Sequence, residues 1–261
     1  MASREYSVPM FSWRFVPVWR RNFMVWKKLA VASVLGNIAD PLITLIAFGY
    51  GLGSLLHDIG GIPYIHYLAS GSICMSIMMA SSFESLYSAF SRMHVQKTWD
   101  ALLNAPIELD DVVLAEMLWA ATKSTFSGVA ILGVMFVLGI GLNPHTLLVL
   151  PLMFLIGVTF ASLGLVVNAL AQGYDFFTYY FTLVLTPMIF LSGVYYPTTQ
   201  LPFWLQSISH LLPLSAAVNL VRPLLLGAWP ATPLLELAIL LGYCIAGFYL
   251  ASVLTRRRLL K

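Results

Sequence analysis

Residues 118–171, LWAATKSTFSGVAILGVMFVLGIGLNPHTLLVLPLMFLIGVTFASLGLVVNALA, hold two apolar runs, about Leu118 to Leu142 and about Leu147 to Ala171, separated by Asn143, Pro144 and His145. At a rise of about 1.5 Å per residue, each run exceeds the roughly 20 residues that an α-helix needs to cross about 30 Å of hydrocarbon. The Asn-Pro pair is a turn signal and brings no Lys or Arg with it. The stretch therefore reads as a hairpin of two membrane spans closed on the side away from the cytoplasm.

Working outward, two further runs precede it, about Val31 to Leu56 and about Pro63 to Phe90, joined by HDIGGI, a turn with two glycines and no Lys or Arg. After the QGYD link a fifth run extends from about Phe176 to Tyr195. A sixth, about Leu234 to Leu254, ends in TRRRLLK. Of the 14 Lys and Arg residues only Arg222 falls on the outer side, so both termini are expected in the cytoplasm. A seventh span would send Arg256, Arg257 and Arg258 outside, against that rule. The expectation is an all-α polytopic membrane protein with six transmembrane helices and one domain, residues 1–261. Its parts are a cytoplasmic or interfacial N-terminus (1–30), a cytoplasmic connector (91–117), an extracytoplasmic segment (196–230) and a cytoplasmic tail (255–261).

Composition agrees: 59% of residues are hydrophobic and 10% charged, against roughly 45–50% and about 25% in soluble domains. The net charge of +3 comes from clusters flanking the first and last runs, which suits contact with anionic membrane lipids and not with nucleic acid. Cys74 and Cys244 lie inside apolar runs and read as small buried residues. Arg14, Arg20, Arg21, Lys27 and Lys28 interrupt the N-terminal region, so no cleaved signal peptide is expected.

Residues 9–28 set Phe11, Phe15, Trp19, Phe23 and Trp26 three or four apart with Arg and Lys between them. On a helix this makes an aromatic face with a basic edge, suited to the headgroup plane. Residues 196–230 are too apolar for an ordinary loop, yet Pro202, Pro213, Pro223 and Pro230 cut them into pieces too short to cross. Such pieces fit re-entrant or interfacial short helices, tolerated at membrane depth only when buried in protein or lining a cavity.

No GxxxxGK[ST], HExxH, CxxC or GxSxG sequence occurs, so neither a P-loop nor a common catalytic motif is present, and the chain reads as a non-enzyme without a metal site. Asn37, Asp40 and Glu84 fall near the cytoplasmic edge, where they are either interfacial or form a polar mouth with Glu84 facing the bundle. Glu84, Tyr87, Phe177, Tyr179 and Tyr180 are the candidate pathway residues; Tyr rings combine an apolar plate with a hydroxyl and can stack on sugars. The aromatic belt at a membrane interface explains many of the same residues. Arg222 either gates the outer segment or snorkels to outer headgroups. Gly157, Ala161 and Gly164, and also Ala238, Gly242 and Ala246, read as close helix packing within one subunit. In the connector, Trp99, Leu102 and Leu103 share one helical face that needs cover, from a partner or from the cytoplasmic ends of the first two spans.

The order of these parts resembles the permease subunit of type 2 ABC exporters, from about Phe11 to the C-terminus. The segment FLSGVYYPTTQLPFWLQSISHLLPLSAAVNLVRPLLLG, residues 190–227, is similar to that family's signature between the fifth and sixth spans. With KTWDALLNAPIELDDVVLAEMLWAATKS, residues 97–124, it looks most like the nodulation protein J group of lipo-chitooligosaccharide exporters. The resemblance implies a coupling helix from about Thr98 to Glu108, with Thr98, Trp99, Leu102, Leu103, Pro106 and Glu108 docking on a separate ATP-binding subunit of the nodulation protein I type. It implies two copies of each chain, a glycolipid cargo, and a bacterial inner membrane. ATP and Mg would be held by the partner and no cofactor by this chain. Gly193, Tyr195, Tyr196, Pro197 and Arg222 would belong to the short helices capping the exit. Export of another polysaccharide, of lipopolysaccharide or of a drug would use the same scaffold. A secondary transporter would need an inverted repeat and midplane ionisable residues; a membrane transferase would need a polar cluster, for which only the scattered His57, Asp58, His66 and His210 are available.

Overall fold

The computed structural model describes residues 8, 9, 12–55 and 58–259, and for residues 34, 37, 38, 40 and 41 the backbone alone. Expectations resting on Phe11, Leu56 and His57, and on the side chains of Asn37 and Asp40, lie outside the described residues. The helices are α1 (Phe15–Lys27), α2 (Ala30–Gly51), α3 (Tyr64–Phe83), α4 (Thr98–Leu103), α5 (Leu109–Val137), α6 (Val149–Leu170), α7 (Asp175–Tyr180), α8 (Thr186–Leu191), α9 (Phe203–Ser209), α10 (Pro213–Leu225) and α11 (Pro233–Leu259). The HDIGGI turn carries a small antiparallel hairpin, β1 (Asp58–Ile59) with β2 (Ile62–Pro63). Gly60 and Gly61 sit at φ 61° and 80°, the left-handed pair that a two-residue hairpin turn demands.

Among the described residues three helical stretches are long and apolar enough to cross a membrane: Leu109–Val137, Pro144–Leu170 and Pro233–Leu259, of 29, 27 and 27 residues. Asp175–Leu191 is apolar but shorter, and α9 with α10 forms a pair bent by 82°. The bend falls where Pro213 opens α10, because a proline's fixed φ and missing N–H suit a first helical turn; Pro223, expected to cut the segment, instead lies within the last turn of α10.

Helix α3 is less apolar, with Ser70, Ser72, Ser76, Ser81 and Ser82 along it, yet most of it is buried, packed by α2, α5, α6 and α10. Its hydroxyls are partly satisfied within the helix: Ser70 and Ser81 donate to the carbonyls of Tyr67 and Ile77, each at 2.7 Å. Small side chains are what let neighbouring helices come this close. A Cβ on Gly157 would lie 3.0 Å from the Ala121 Cα of α5, and one on Gly164 would meet Ser85 beyond α3. The row Gly157, Ala161, Gly164 thus packs inside the chain. By contrast Ala238, Gly242 and Ala246 are exposed on α11, and a Cβ on Gly242 meets nothing; the contact from that helix is made by Gly247 against Ser162.

Helix α5 begins at Leu109, well before the apolar run near Leu118. Hydropathy marks its acidic start as a loop, but each carboxylate there has a partner. Asp111 accepts from the Ser12 amide and hydroxyl at 3.3 and 3.2 Å, and reaches back to the Glu108 amide at 3.4 Å. Asp110 accepts from Arg256 Nε at 2.8 Å. Paired in this way, the acidic turn can be helical and buried, and it favours the positive end of the helix dipole.

Candidate functional site

Past Phe83 the chain continues α3 through two wide, π-type turns, Glu84–Ser88 and Ser91–Val95, an arrangement that re-aims side chains and recurs at functional places. Glu84 and Arg92 thereby face α5, on which Glu116, Trp119 and Lys123 share one face at i, i+3 and i+7. The result is a buried polar cluster. Glu84 Oε1 accepts from Arg92 Nη2 at 3.0 Å and from Trp119 Nε1 at 2.9 Å, and Glu84 Oε2 accepts from Lys123 Nζ at 2.7 Å. Arg92 also donates to both oxygens of Glu116, at 2.9 Å from Nε and 2.5 Å from Nη2. Burial alone would lower the Arg92 pKa, but the two carboxylates raise it instead, so the guanidinium is firmly charged.

The cluster is extended by α4. Lys97, at φ 48°, turns the chain into that helix, and Trp99, 1% exposed, donates from Nε1 to Glu116 Oε1 at 3.3 Å. Leu102 and Leu103 are half-buried against the core, and Thr98 accepts from Arg21 Nη2 at 3.4 Å. Of the two covers expected for this face, a partner or the chain itself, the chain supplies one. What α4 leaves exposed is Asp100 and Ala101, followed by Asn104, Ala105, Pro106 and Glu108. From the other side α1 closes over the connector: Arg14 donates to the Pro106 carbonyl at 2.8 Å, and Trp19 Nε1 to Thr122 Oγ1 at 3.1 Å. Its aromatic row stacks inward, Trp26 on Phe126 at 5.3 Å and edge-on to Trp119 at 5.9 Å.

The candidate pathway residues divide. Tyr87 and Phe177 meet edge to face at 5.1 Å, within a cluster that includes Tyr174, Phe83 and Phe90. Tyr180 is buried and Tyr179 is 64% exposed on another side. Glu84 belongs to the ion cluster described above and does not join those rings through any of its three bonds.

At the opposite end of α3 Gly193, Tyr195 and Arg222, three of the residues expected at an exit, come together. Gly193, at φ 73°, offers its carbonyl to Arg222 Nη2 at 2.7 Å and to the Tyr67 hydroxyl at 3.0 Å. Arg222 Nε donates to Ser70 Oγ at 2.9 Å, and the guanidinium lies 3.6 Å over the Tyr67 ring. Arg222 thus points into the protein and does not snorkel outward. Tyr195 joins the same helix, its carbonyl accepting from Tyr64 at 3.3 Å; Tyr196 and Pro197, half-buried, lead away into the turn Thr198–Gln200. From Ser70 to Glu84 is about 21 Å along α3 at the usual helical rise. One helix therefore carries both polar centres.

The sequence singles out Glu84, Trp99 and Arg222, which lie in these two polar centres, but not Arg92, Glu116, Trp119 and Lys123. The signal was available, since three of these four share one face of α5. The basic tail is likewise used internally: Arg256 pairs with Asp110, and Arg258 Nη1 donates to the carbonyls of Asn168 and Ala169 at 2.9 and 3.0 Å, capping α6.

The family model for the ABC-2 type transporter matches residues 14–226. The chain is 42% identical over 253 residues to nodulation protein J of Sinorhizobium fredii (strain NBRC 101917 / NGR234), with 97% of each chain covered. It is 44% identical over 255 residues to nodulation protein J of Rhizobium leguminosarum bv. trifolii, covering 98% of this chain and 97% of the relative. The inner membrane transport permease YadH of Escherichia coli (strain K12) is 25% identical over 234 residues, covering 89% of this chain and 90% of that one.

Proposed function

This chain belongs to the ABC-2 type transporter family as a membrane-embedded permease subunit, and we propose that it exports an amphipathic glycolipid, a lipo-chitooligosaccharide nodulation signal, across a bacterial inner membrane. Similarity to nodulation proteins J over nearly the whole chain supports that cargo. Energy would come from ATP hydrolysed with Mg²⁺ in a separate subunit of the nodulation protein I type, and two copies of this chain would build the path. The proposed topology has six spans, α2, α3, α5, α6, α7 with α8, and α11, with both termini cytoplasmic. Helix α1 would lie in the headgroup plane, and α9 with α10 would re-enter from the outer side.

The observation that carries the coupling assignment is the two-sidedness of α4. Its inner face is bonded through Trp99 to the Glu116, Arg92, Glu84 and Lys123 cluster, while Asp100, Ala101 and the Asn104–Pro106 turn remain open to a partner. A push on that open face would move α4, the end of α3 and the start of α5 together, which gives the nucleotide state something to bias. The Tyr87 and Phe177 cluster beside the wide turns would contact cargo, and the Gly193, Tyr195 and Arg222 junction would form the exit.

The test is twofold. A deletion strain should accumulate labelled lipo-chitooligosaccharide inside the cell; a capsule or O-chain defect alone would overturn the cargo. Ala101→Arg, on the open face of α4, should abolish co-purification of the ATP-binding subunit and export while leaving the unfolding midpoint unchanged. Normal export by that variant would remove the coupling role.

A further inference from the structure

A cleft of about 230 Å³ lies between α1, α2, the end of α3 and α5, with Arg21, Asn22, Trp26, Glu84, Arg92 and Lys123 among its lining. Two donors on that lining have no acceptor among the described residues: Asn22 Nδ2, on a side chain 3% exposed, and Trp26 Nε1. Asn22 Oδ1 already accepts from Arg21 Nη1 at 3.1 Å. Because arginine can only donate, the amide cannot be turned round, and its unmet half is the N–H side. A buried donor left in this way costs as much as a lost hydrogen bond, so the arrangement calls for an acceptor.

Charge points the same way. Arg92 and Lys123 are matched by Glu84 and Glu116, whereas the hydrogen bonds of Arg21 go to neutral oxygens, Asn22 Oδ1 and Thr98 Oγ1. Burial, and then the nearby Arg92, lower the Arg21 pKa although Glu116 opposes them, so a further anion would relieve this cation. The cleft is smaller than the roughly 300–1,000 Å³ of pockets for drug-sized ligands, too small for a lipo-oligosaccharide. Val25, Trp26 and Leu29 give it an apolar flank.

We infer that this cleft is a binding site for a phosphate ester, with Arg21, Asn22 Nδ2 and Trp26 Nε1 donating to its oxygens and the apolar flank taking the glycerol end of a lipid headgroup. The site follows from the cleft alone and does not rest on the proposed topology.

The experiment uses the full chain, delipidated in dodecylmaltoside and titrated by native mass spectrometry with dioleoylphosphatidylglycerol, dioleoylglycerol and inorganic phosphate. Phosphatidylglycerol should bind one molecule per chain, and Arg21→Gln and Asn22→Leu should each weaken it by about tenfold, the worth of one hydrogen bond to a charged group. Saturable binding of inorganic phosphate with the same dependence would keep the site and make a free anion its source. Equal binding of dioleoylglycerol, or wild-type affinity in Asn22→Leu, would overturn the proposal, since only general attraction to lipid or to a basic surface would remain. If Arg21→Gln fails to fold, Trp26→Phe removes one donor without touching charge and is read by the same criterion. None of these readouts involves an ATP-binding subunit or export, so the export reading can fail without touching them.

Discussion

Replacing Glu84 by Gln keeps the side chain's shape and removes the charge addressed by Arg92 at 3.0 Å, Lys123 at 2.7 Å and Trp119 at 2.9 Å. The cluster is balanced, Arg92 and Lys123 against Glu84 and Glu116, and its side chains are 13%, 18%, 3% and 1% exposed in that order, so water screens little of the interaction. Breaking a buried pair by removing one partner typically costs about 3–5 kcal/mol. An amide oxygen in place of Oε1 still accepts from Arg92 and Trp119, which places Glu84→Gln near the low end, about 3 kcal/mol. Lys123→Met should cost less, about 1–2 kcal/mol, because Glu84 keeps Arg92 and Trp119. In the double variant Arg92 and Glu116 remain as a matched pair and no charge is stranded, so the coupling energy of the cycle should be about 1.5–3 kcal/mol in the restoring direction. Unfolding from dodecylmaltoside by SDS, followed by tryptophan fluorescence, measures each corner. A loss below about 1 kcal/mol for Glu84→Gln, or additivity within about 0.5 kcal/mol, would refute the view of these residues as one charge-balanced unit.

Other outcomes follow from single contacts. Arg222→Met leaves the Gly193 carbonyl with the Tyr67 hydroxyl alone and removes the charged tie from α10 to Ser70 and Gly193, and should cost about 2–3 kcal/mol; Arg222→Lys should not restore it, since a point charge cannot bond Ser70 and Gly193 while lying over Tyr67. Gly157→Val drives a Cβ against the Ala121 backbone 3.0 Å away and should cost about 1–3 kcal/mol in the same unfolding assay. The His94 pKa is lowered by burial and then by Arg258, with Asp100 opposing. The unfolded chain therefore binds the proton first as pH falls, so stability is fully present above the ordinary histidine range and declines through and below it. His94→Asn should flatten that part of the pH dependence, and an unchanged slope between pH 7 and 5 would count against the assignment.

The fold was legible where burial follows hydropathy. Leu118 to Ala171 reads as a hairpin because lipid-facing helices must be apolar along their length, and the prolines at 202 and 213 mark the starts of short helices because a fixed φ and a missing N–H fit the first turn. Hydropathy fails for α3 and for the first turns of α5, for opposite reasons. The serines of α3 lower its apolar content, yet their hydroxyls find carbonyls in the same helix and leave it free to occupy the centre. Asp110, Asp111 and Glu116 look solvated because a sequence does not display their partners, Arg256, Ser12 and Arg92, which lie far along the chain. Trp99 was read as one of three residues awaiting cover; its partner Glu116 supplies part of that cover, and only the i, i+3, i+7 register of Glu116, Trp119 and Lys123 hinted at it.

That network bears on how force could pass through the subunit. A buried ion cluster is a poor device for raising stability, because each charge gives up solvation that a hydrophobic residue would not. Its distinctive property is that it tolerates few geometries: Glu84 must stay within reach of three donors on two helices at once. The end of α3, α4 and the start of α5 are therefore expected to move as one body. The Arg222 junction then lies about 21 Å up the same α3. Crosslinking the end of α3 to α5, through Ser88→Cys paired with Ala120→Cys, should leave export intact if the body is rigid. Loss of export under oxidation, with recovery on reduction, would place the working motion inside the cluster and overturn the rigid-body account.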